Sequence, residues 1–370
     1  MRIVFLLPGP GCSPVGGFKV VYEYANWLAA RGAQVSVIHP ARLALDLPFA
    51  AYPRLALRYA IRRVNQKYRP DSWFDIHPAV RLKWTPSLHP RHVPDADIVV
   101  ATAWETAEWA AAYPATKGVG HYLIQHLETW SGAKDQVMST WRLPLRKVVI
   151  ARWLQDIARG QGEAALYIPN GLDFSAFGQD VAAGDRNAKN LLMLYHLRDW
   201  KGSADGLAAV ARVRESIPDI HLTLFGIYPR PEGLPAGIDY HQSPSQPLLR
   251  RLYNEAAIFI APSWVEGWGL PPAEAMMSGC CVVATDIGGH REYAVPDETA
   301  LLSPPREPQA LAANILRAVE DRELRLRVAE SGRRHIQQFT WARAAESLLT
   351  AFDGCRDVAA EKFVPELADA

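Results

Sequence analysis

The sequence predicts an α/β protein made of two doubly wound, Rossmann-like halves, and three observations carry that prediction. Short apolar runs alternate with helical patterns along the chain, the signature of strands buried on both faces of a parallel sheet. The alternation starts afresh after a polar stretch at 179–190 that holds Gly, Asp, Asn and Lys without apolar periodicity. At 370 residues the chain is also long enough for two separate cores.

Residues 3–7 read as a buried parallel strand, followed by a Gly/Pro-rich loop at 8–17, a helix at 18–31 stopped by Gly32, and a strand at 35–38. This is a β-α-β opening. Short apolar runs at 97–101, 120–124 and 147–151 continue the half, and 166–173 closes it. The linker is expected at 179–190, giving domains at 1–178 and 179–340. The second half restarts with a strand at 191–195 and a helix at 203–216. A strand at 221–225, a helix at 247–255, a strand at 257–261, a helix opened by Pro271 and ending near Gly279, and a strand from Val282 follow. After a turn at 295–297, helical patterns run over 308–320 and 323–338. The tail beyond Gly354 carries no pattern.

Composition excludes some classes of partner. Lys plus Arg (40) balances Asp plus Glu (39), so net charge gives no reason to expect nucleic acid. The four cysteines, Cys12, Cys280, Cys281 and Cys355, lack metal-ligand spacing and fit reduced structural thiols of a cytosolic protein. The opening apolar run is too short for a signal-peptide core, and no run approaches a bilayer span, so the expectation is a cytoplasmic protein.

The run Glu266-Gly267-Trp268-Gly269-Leu270-Pro271-Pro272-Ala273-Glu274 is the most informative stretch. A strand ends at Pro262, a glycine-bearing loop follows, and Pro271-Pro272 open a helix. Gly267 and Gly269 permit close backbone approach to a ligand, and the N–H groups at a helix start favour an oxygen-rich, anionic one. Carboxylates at Glu266 and Glu274 can accept hydrogen bonds from vicinal hydroxyls of a sugar or ribose. Taken alone, Glu274 reads equally well as a solvated or capping acid of a first helical turn.

Other stretches carry chemistry beside an ordinary structural reading. Gly16-Gly17 lies between the first strand and first helix, as a tight turn or as a close approach to phosphate, and it lacks the Gly-x-Gly-x-x-Gly spacing of a dinucleotide site. His196-Leu197-Arg198-Asp199-Trp200-Lys201-Gly202 follows the first strand of the second half, where cations can meet a diphosphate or merely form a solvated basic turn. His126 leaves a strand end, a position that faces a ligand crevice or simply packs. Asp95-Ala96-Asp97 spells the Asp-x-Asp of some metal sites, but it enters a strand at its amino end, away from the ligand face, and no metal is expected. Residues 54–69 contain six cations and no acid, with Leu57, Ile61, Val64 and Tyr68 at helical spacing. Such a helix rests on an anionic membrane or packs its stripe on the sheet.

The run from Glu266 to Glu274 resembles the Glu-Gly-Phe-Gly-Leu-Pro-x-x-Glu pattern of the family 4 glycosyltransferases, with Trp268 in the aromatic place. The flanking Ala275-Met276-Met277-Ser278-Gly279 and Val282-Val283-Ala284-Thr285-Asp286-Ile287-Gly288-Gly289 agree. The resemblance covers about residues 2–345 and is clearest in the second half. It implies a GT-B fold with two domains facing across a cleft, a last helix at 341–355 that crosses back to the first domain, and a retaining, metal-independent transferase. The co-substrate would be a nucleotide diphosphate sugar, with no other cofactor.

By the same resemblance, Gly16 and Gly17 face the donor diphosphate. His126 and Glu266 orient the sugar at the reacting centre, and Gly267, Trp268, Gly269 and Leu270 line the donor. Glu274 holds the ribose and Lys201 the diphosphate, shared with Arg198 or with His196, which replaces the family's arginine. The acceptor would be a glycan or a lipid-linked glycan, approached on the basic first domain with peripheral attachment to an anionic membrane, in cell-surface polysaccharide synthesis. Two other readings stay open: a nucleotide-sugar epimerase-like enzyme, which would need no acceptor, and a non-catalytic sugar-nucleotide-binding scaffold, which would bind a donor and never consume it.

Overall fold

The computed structural model describes residues 1–44, 52–235 and 237–361. In chain order the first elements are β1 (Arg2–Leu6), α1 (Gly16–Ala30), β2 (Gln34–Pro40), α2 (Tyr52–Val64), β3 (Arg81–Thr85), β4 (Ile98–Ala101), α3 (Trp104–Ala111), β5 (Val119–Ile124), α4 (Lys134–Thr140), β6 (Arg146–Val149), α5 (Arg152–Gly160) and β7 (Ala165–Tyr167). Then follow β8 (Asn190–Leu194), α6 (Ser203–Ser216), β9 (His221–Gly226), β10 (Ile238–Gln242), α7 (Gln246–Glu255), β11 (Ile258–Ala261), α8 (Leu270–Met277), β12 (Cys281–Thr285), β13 (Leu301–Ser303), α9 (Pro308–Glu320), α10 (Arg322–His335) and α11 (Trp341–Glu361).

Two parallel sheets result, in the orders β3-β2-β1-β4-β5-β6-β7 and β10-β9-β8-β11-β12-β13. Both are doubly wound, as the alternating runs predict. In the first, Ile3 pairs with Val35 on one side and Ile98 on the other. In the second, Ile258 stands between Leu191 and Cys281. Central strands are apolar over most of their length because helices cover both faces. Ile3 through Leu7 and Ile258 through Ile260 are 0 to 2% exposed. Strands β3, β10 and β13, which periodicity did not single out, are all sheet edges. An edge strand is half solvated and short, so its apolar signal is weak.

The chain divides into two compact units, one of Met1–Ile150, Leu154–Gly171 and the chain from Trp341 on, the other of Ala151–Trp153 and Leu172–Thr340. Within the first unit α11 packs on α1, with the rings of Trp341 and Tyr24 edge to face at 5.5 Å. The second unit has its own core, in which Leu191, Met193, Leu222, Leu224, Ile258, Ile260 and Val283 of the sheet meet Val210, Val213, Leu311 and Ile315 of the helices.

The polar stretch 179–190 is not a loose connection. Arg186 is buried within the second unit, donating to the carbonyls of Val181, Tyr253, Ala256 and Ser278. It therefore ties the ends of α7 and α8 to the start of the unit, since a buried guanidinium must fill its donors. Sequence polarity signalled a hydrogen-bonding hub rather than a free linker. Cys280 lies against this hub and Cys281 in the core at the start of β12, and burial pushes their thiols up to about 11 and about 12, so neither is poised as a nucleophile.

Candidate active site

Strands β8 and β11 are neighbours, yet β8 connects to β9 on one side and β11 to β12 on the other. In doubly wound sheets the crevice outside the carboxyl ends of such a pair is where ligands bind. The segments leaving these two ends hold Arg198, Lys201 and Glu266. After β8 the chain passes His196 and Arg198, makes a 3-10 turn over Asp199–Lys201, and enters α6 through Gly202. Gly202 has φ +64°, and a Cβ there would lie 2.7 Å from the carbonyl carbon of Pro262 at the exit of β11. Only glycine lets the two segments approach this closely.

That approach brings Lys201 and Glu266 together. The ammonium Nζ donates to Oε1 at 2.7 Å and Oε2 at 2.8 Å, and Ser263 Oγ donates to Oε1 at 2.8 Å. The side chains are 25% and 14% exposed, so the pair is largely sheltered but still reachable by a ligand. Burial alone would raise the Glu266 pKa, but Lys201, with help from His290 and Ser263, outweighs it, and the carboxylate sits below its usual value. His290 is buried, its Nδ1 within 2.8 Å of Thr285 O, and burial lowers its pKa. Ser263 and His290 were missed in the sequence, although Ser263 lies only three residues before Glu266 at the strand exit.

The Glu266 loop is held by packing beneath it. Trp153 Nε1 donates to Gly267 O at 3.0 Å, and Tyr293 Oη donates to Gly269 O at 2.7 Å. Gly269, with φ +89°, precedes Leu270, the first residue of α8, which is partly exposed. A Cβ at Gly289 would come 2.5 Å from Glu266 O, and one at Gly288 would come 2.6 Å from Trp153 Cγ.

Trp268 corrects the expectation of a donor-facing aromatic. It is 2% exposed, its ring packed on Tyr293 at 4.8 Å and Phe339 at 5.5 Å. Its indole anchors the loop from inside because so large an apolar surface gains most from burial. Glu274 is neither solvated nor capping: it is 7% exposed, and Tyr253 Oη donates to its Oε2 at 3.2 Å.

His196 is half-buried and burial, followed by the charge of Lys201, lowers its pKa to about 4. Its Nδ1 accepts from Arg198 N at 3.0 Å, which leaves the proton on Nε2 near Tyr228 Oη at 3.5 Å. At neutral pH it is a neutral donor, not the cation it replaces in the family pattern. Arg198 is exposed and lies over the Trp200 ring, 5.3 Å from its centroid.

In the first unit the loops after β1, β4 and β5 share the carboxyl side of the sheet. Gly16 and Gly17 open α1, and the N–H groups of these two residues have no intrahelical partner. Gln125 Nε2 donates to Gly17 O at 3.1 Å and so ties this turn to the loop carrying His126. His126 Nδ1 accepts from Leu127 N at 2.8 Å, placing the imidazole proton on Nε2 when the ring is neutral. Glu128 Oε2 accepts from Trp104 N at 2.8 Å, at the start of α3. Burial, opposed by that hydrogen bond and reinforced by Glu105, pushes the Glu128 carboxyl from 4.5 up to about 8.

A carboxyl that holds its proton longer when folded contributes stability that is complete below its unfolded pKa and lost as pH rises through about 8. Glu128→Gln is therefore expected to match wild type near pH 4 and to exceed it at pH 9 by on the order of 1–3 kcal/mol in chemical denaturation. A difference independent of pH would disprove the assignment.

Asp95 pairs with Lys117 at 2.7 Å, and Asp97 accepts from Arg2 N at 2.7 Å and its guanidinium at 2.8 Å. Both sit at the amino end of β4, spent on ion pairs.

Comparison with known proteins gives the fold and the family. The fold is that of the GT-B glycosyltransferases: the structure of Anabaena Alr3699/HepE in complex with UDP-glucose superposes with a TM-score of 0.73, at 15% identity, over 96% of this chain and 100% of that one. Residues 180–335 match the family model described as glycosyl transferases group 1. The D-inositol 3-phosphate glycosyltransferase of Thermomonospora curvata is 31% identical over 418 residues, covering 95% of this chain and 93% of its own. The phosphatidyl-myo-inositol mannosyltransferase of Mycobacterium leprae is 24% identical over 378 residues, covering 95% and 96%. The chain belongs to the group 1 glycosyltransferases, and it is a glycosyltransferase.

Proposed function

We propose that this enzyme transfers a sugar, with retention of configuration and without a metal ion, from a nucleoside diphosphate sugar to a lipid-linked or glycan acceptor at the cytoplasmic face of a membrane, in the building of cell-surface glycans. The observation that carries the reading is the Lys201–Glu266 pair at the switch point of the second sheet. Departure of a nucleoside diphosphate leaves negative charge on phosphate oxygens, and a preorganised ammonium stabilises that charge. In this reading Lys201 turns toward the diphosphate, with the N-terminus of α8 at Gly269 and Leu270 adding N–H donors. Neutral His196 contributes a hydrogen bond, and Arg198 would have to leave Trp200 to take part. Glu266, released from Lys201, accepts from sugar hydroxyls. Glu274 keeps the ribose role only if the hydroxyl of Tyr253 shares it.

The acceptor reading draws on α2. Leu57, Ile61 and Val64 are 63%, 52% and 86% exposed, so these three do not pack on the sheet. The helix is held instead by Tyr59, stacked on Trp84 at 6.1 Å, with Tyr68 stacked on the same indole at 5.6 Å. Arg54, Arg58, Arg62 and Lys67 line the same open groove as Leu57 and Ile61. Apolar side chains among cations that make no ion pair within the described residues match an anionic lipid surface. The Mycobacterium leprae relative, named for a phosphatidylinositol acceptor, supports the same class. Among the described residues no helix is long and apolar enough to cross a membrane, so attachment would be peripheral.

The test is release of nucleoside diphosphate from a panel of nucleotide sugars in excess chelator, with and without inositol phosphates, phosphatidylinositol and lipid-linked glycans. Release that depends on acceptor is the expected result. Donor consumption without acceptor, or a strict need for manganese or magnesium, would refute it. Replacing Arg58, Arg62, Arg63 and Lys67 by glutamine is expected to lower binding to anionic liposomes by about 1 kcal/mol per cation, with donor affinity constant. Wild-type protein that ignores such liposomes at low salt would leave α2 an ordinary solvated helix.

A further inference from the structure

The turn between β5 and α4 is built around one tryptophan. Trp104, the first residue of α3, donates from its backbone N–H to Glu128 Oε2 at 2.8 Å and from its indole N–H to Ser131 Oγ at 3.0 Å. Ser131 donates from both N–H and Oγ to Glu128 O at 3.0 Å. Gly132 lies so close to the Trp104 ring that a Cβ there would be 2.7 Å from Cζ2. The turn is thus fixed by backbone, side chain and ring contacts at once. On its outer side it presents Trp130, 43% exposed, with its ring set against that of His126 at 4.4 Å and 78°.

An exposed indole forgoes the burial that usually stabilises so large a ring, and here it is held beside a carboxyl and an imidazole on the ligand side of the sheet. Only Oε2 of Glu128 is engaged by Trp104, which leaves Oε1 to meet a hydroxyl. Aromatic face, carboxyl and imidazole together suit one kind of molecule. A pyranose or cyclitol ring has a C–H face that packs on an indole and a rim of hydroxyls that hydrogen-bond to the flanking polar groups.

We infer that Trp130, Glu128 and His126 form the subsite for a ring-shaped polyol of the acceptor, with Trp130 as its platform. This deepens the glycosyltransferase reading by assigning the acceptor's polyol ring to one turn of the first unit, and it rests on that reading. Trp130 is a binding residue here, and Glu128, held by Trp104, both binds and fixes the turn.

Two measurements on the full chain decide it. Saturation-transfer NMR with myo-inositol and octyl α-mannoside as probes is expected to give a signal for at least one of them with wild type. That signal should be lost in Trp130→Ala and largely kept in Trp130→Phe, while the signal of UDP or GDP stays the same in all three. In turnover, Trp130→Ala is expected to raise acceptor KM by about tenfold, a 1.4 kcal/mol change, with kcat and donor KM little altered. No probe signal in wild type, or an acceptor KM in Trp130→Ala within about twofold of wild type, would overturn the assignment. So would a fall in kcat with KM unchanged, which would mean that Trp130 acts through His126. Failure of the transferase reading looks different: wild type would then bind no nucleotide sugar or transfer to no acceptor, whatever residue stands at 130.

Discussion

Lys201→Ala is expected to lower turnover by about two to three orders of magnitude, the usual loss when one preorganised donor to a developing anion is removed. The same change leaves Glu266, 14% exposed, with Ser263 as its remaining hydrogen-bond donor among the described residues and His290, whose pKa burial lowers, as a neighbour. Burial would then act on the carboxylate with little opposition and its pKa would rise. In wild type the lowered Glu266 pKa contributes stability that is present above the unfolded value and lost as pH falls through the folded one. In the variant the sign reverses, and stability should fall as pH rises from about 4 to 7. The net cost at neutral pH is expected to be about 1–3 kcal/mol. Lys201→Met, which keeps the aliphatic stem, should share the kinetic defect. Wild-type turnover in either variant would remove Lys201 from the leaving-group side.

Gly202→Ala is expected to cost about 2–4 kcal/mol of stability and most of the activity, through two separate terms. The first is the left-handed backbone at φ +64°, which opposes any Cβ. The second is the overlap of that Cβ with the carbonyl of Pro262, a backbone group that can move only if the exit of β11 moves. Such a shift separates Lys201 from Glu266. Gly233→Ala isolates the first term, because Gly233 has φ +75° and nothing within 4 Å of the added carbon. It should lose only about 1 kcal/mol and keep full activity. Equal denaturation midpoints for the two variants would show that the contact with Pro262 carries no weight.

The same pair of residues marks how far the sequence could be read. Lys201-Gly202 and Glu266 through Leu270 could be placed at strand exits from the sequence, and it was the resemblance to a family pattern that set them apart from a solvated turn. Their joining into an ion pair, shared with Ser263, was not legible: the two lie sixty-five positions apart and meet only because β8 and β11 are neighbours. Trp268 and Glu274 looked like ligand contacts in a linear motif. Packing of Trp268 on Tyr293 buried its ring, and Glu274 is buried against the hydroxyl of Tyr253.

What the sequence alone determined is the two-sheet architecture, since continuous apolar runs can only be satisfied by strands covered on both faces, and the position of the charged residues at the strand ends. Tertiary structure alone decided which groups are charged, which are buried and which face outward. It made His196 neutral, turned the polar 179–190 stretch into the tether of Arg186, and left Leu57, Ile61 and Val64 of α2 in solvent because Trp84 holds that helix by Tyr59 instead. Periodicity reports that a face is apolar. Only the neighbours supplied by distant parts of the chain determine whether that face, or a charge beside it, is covered, and it is that cover which sets desolvation, proton affinity and access to a ligand.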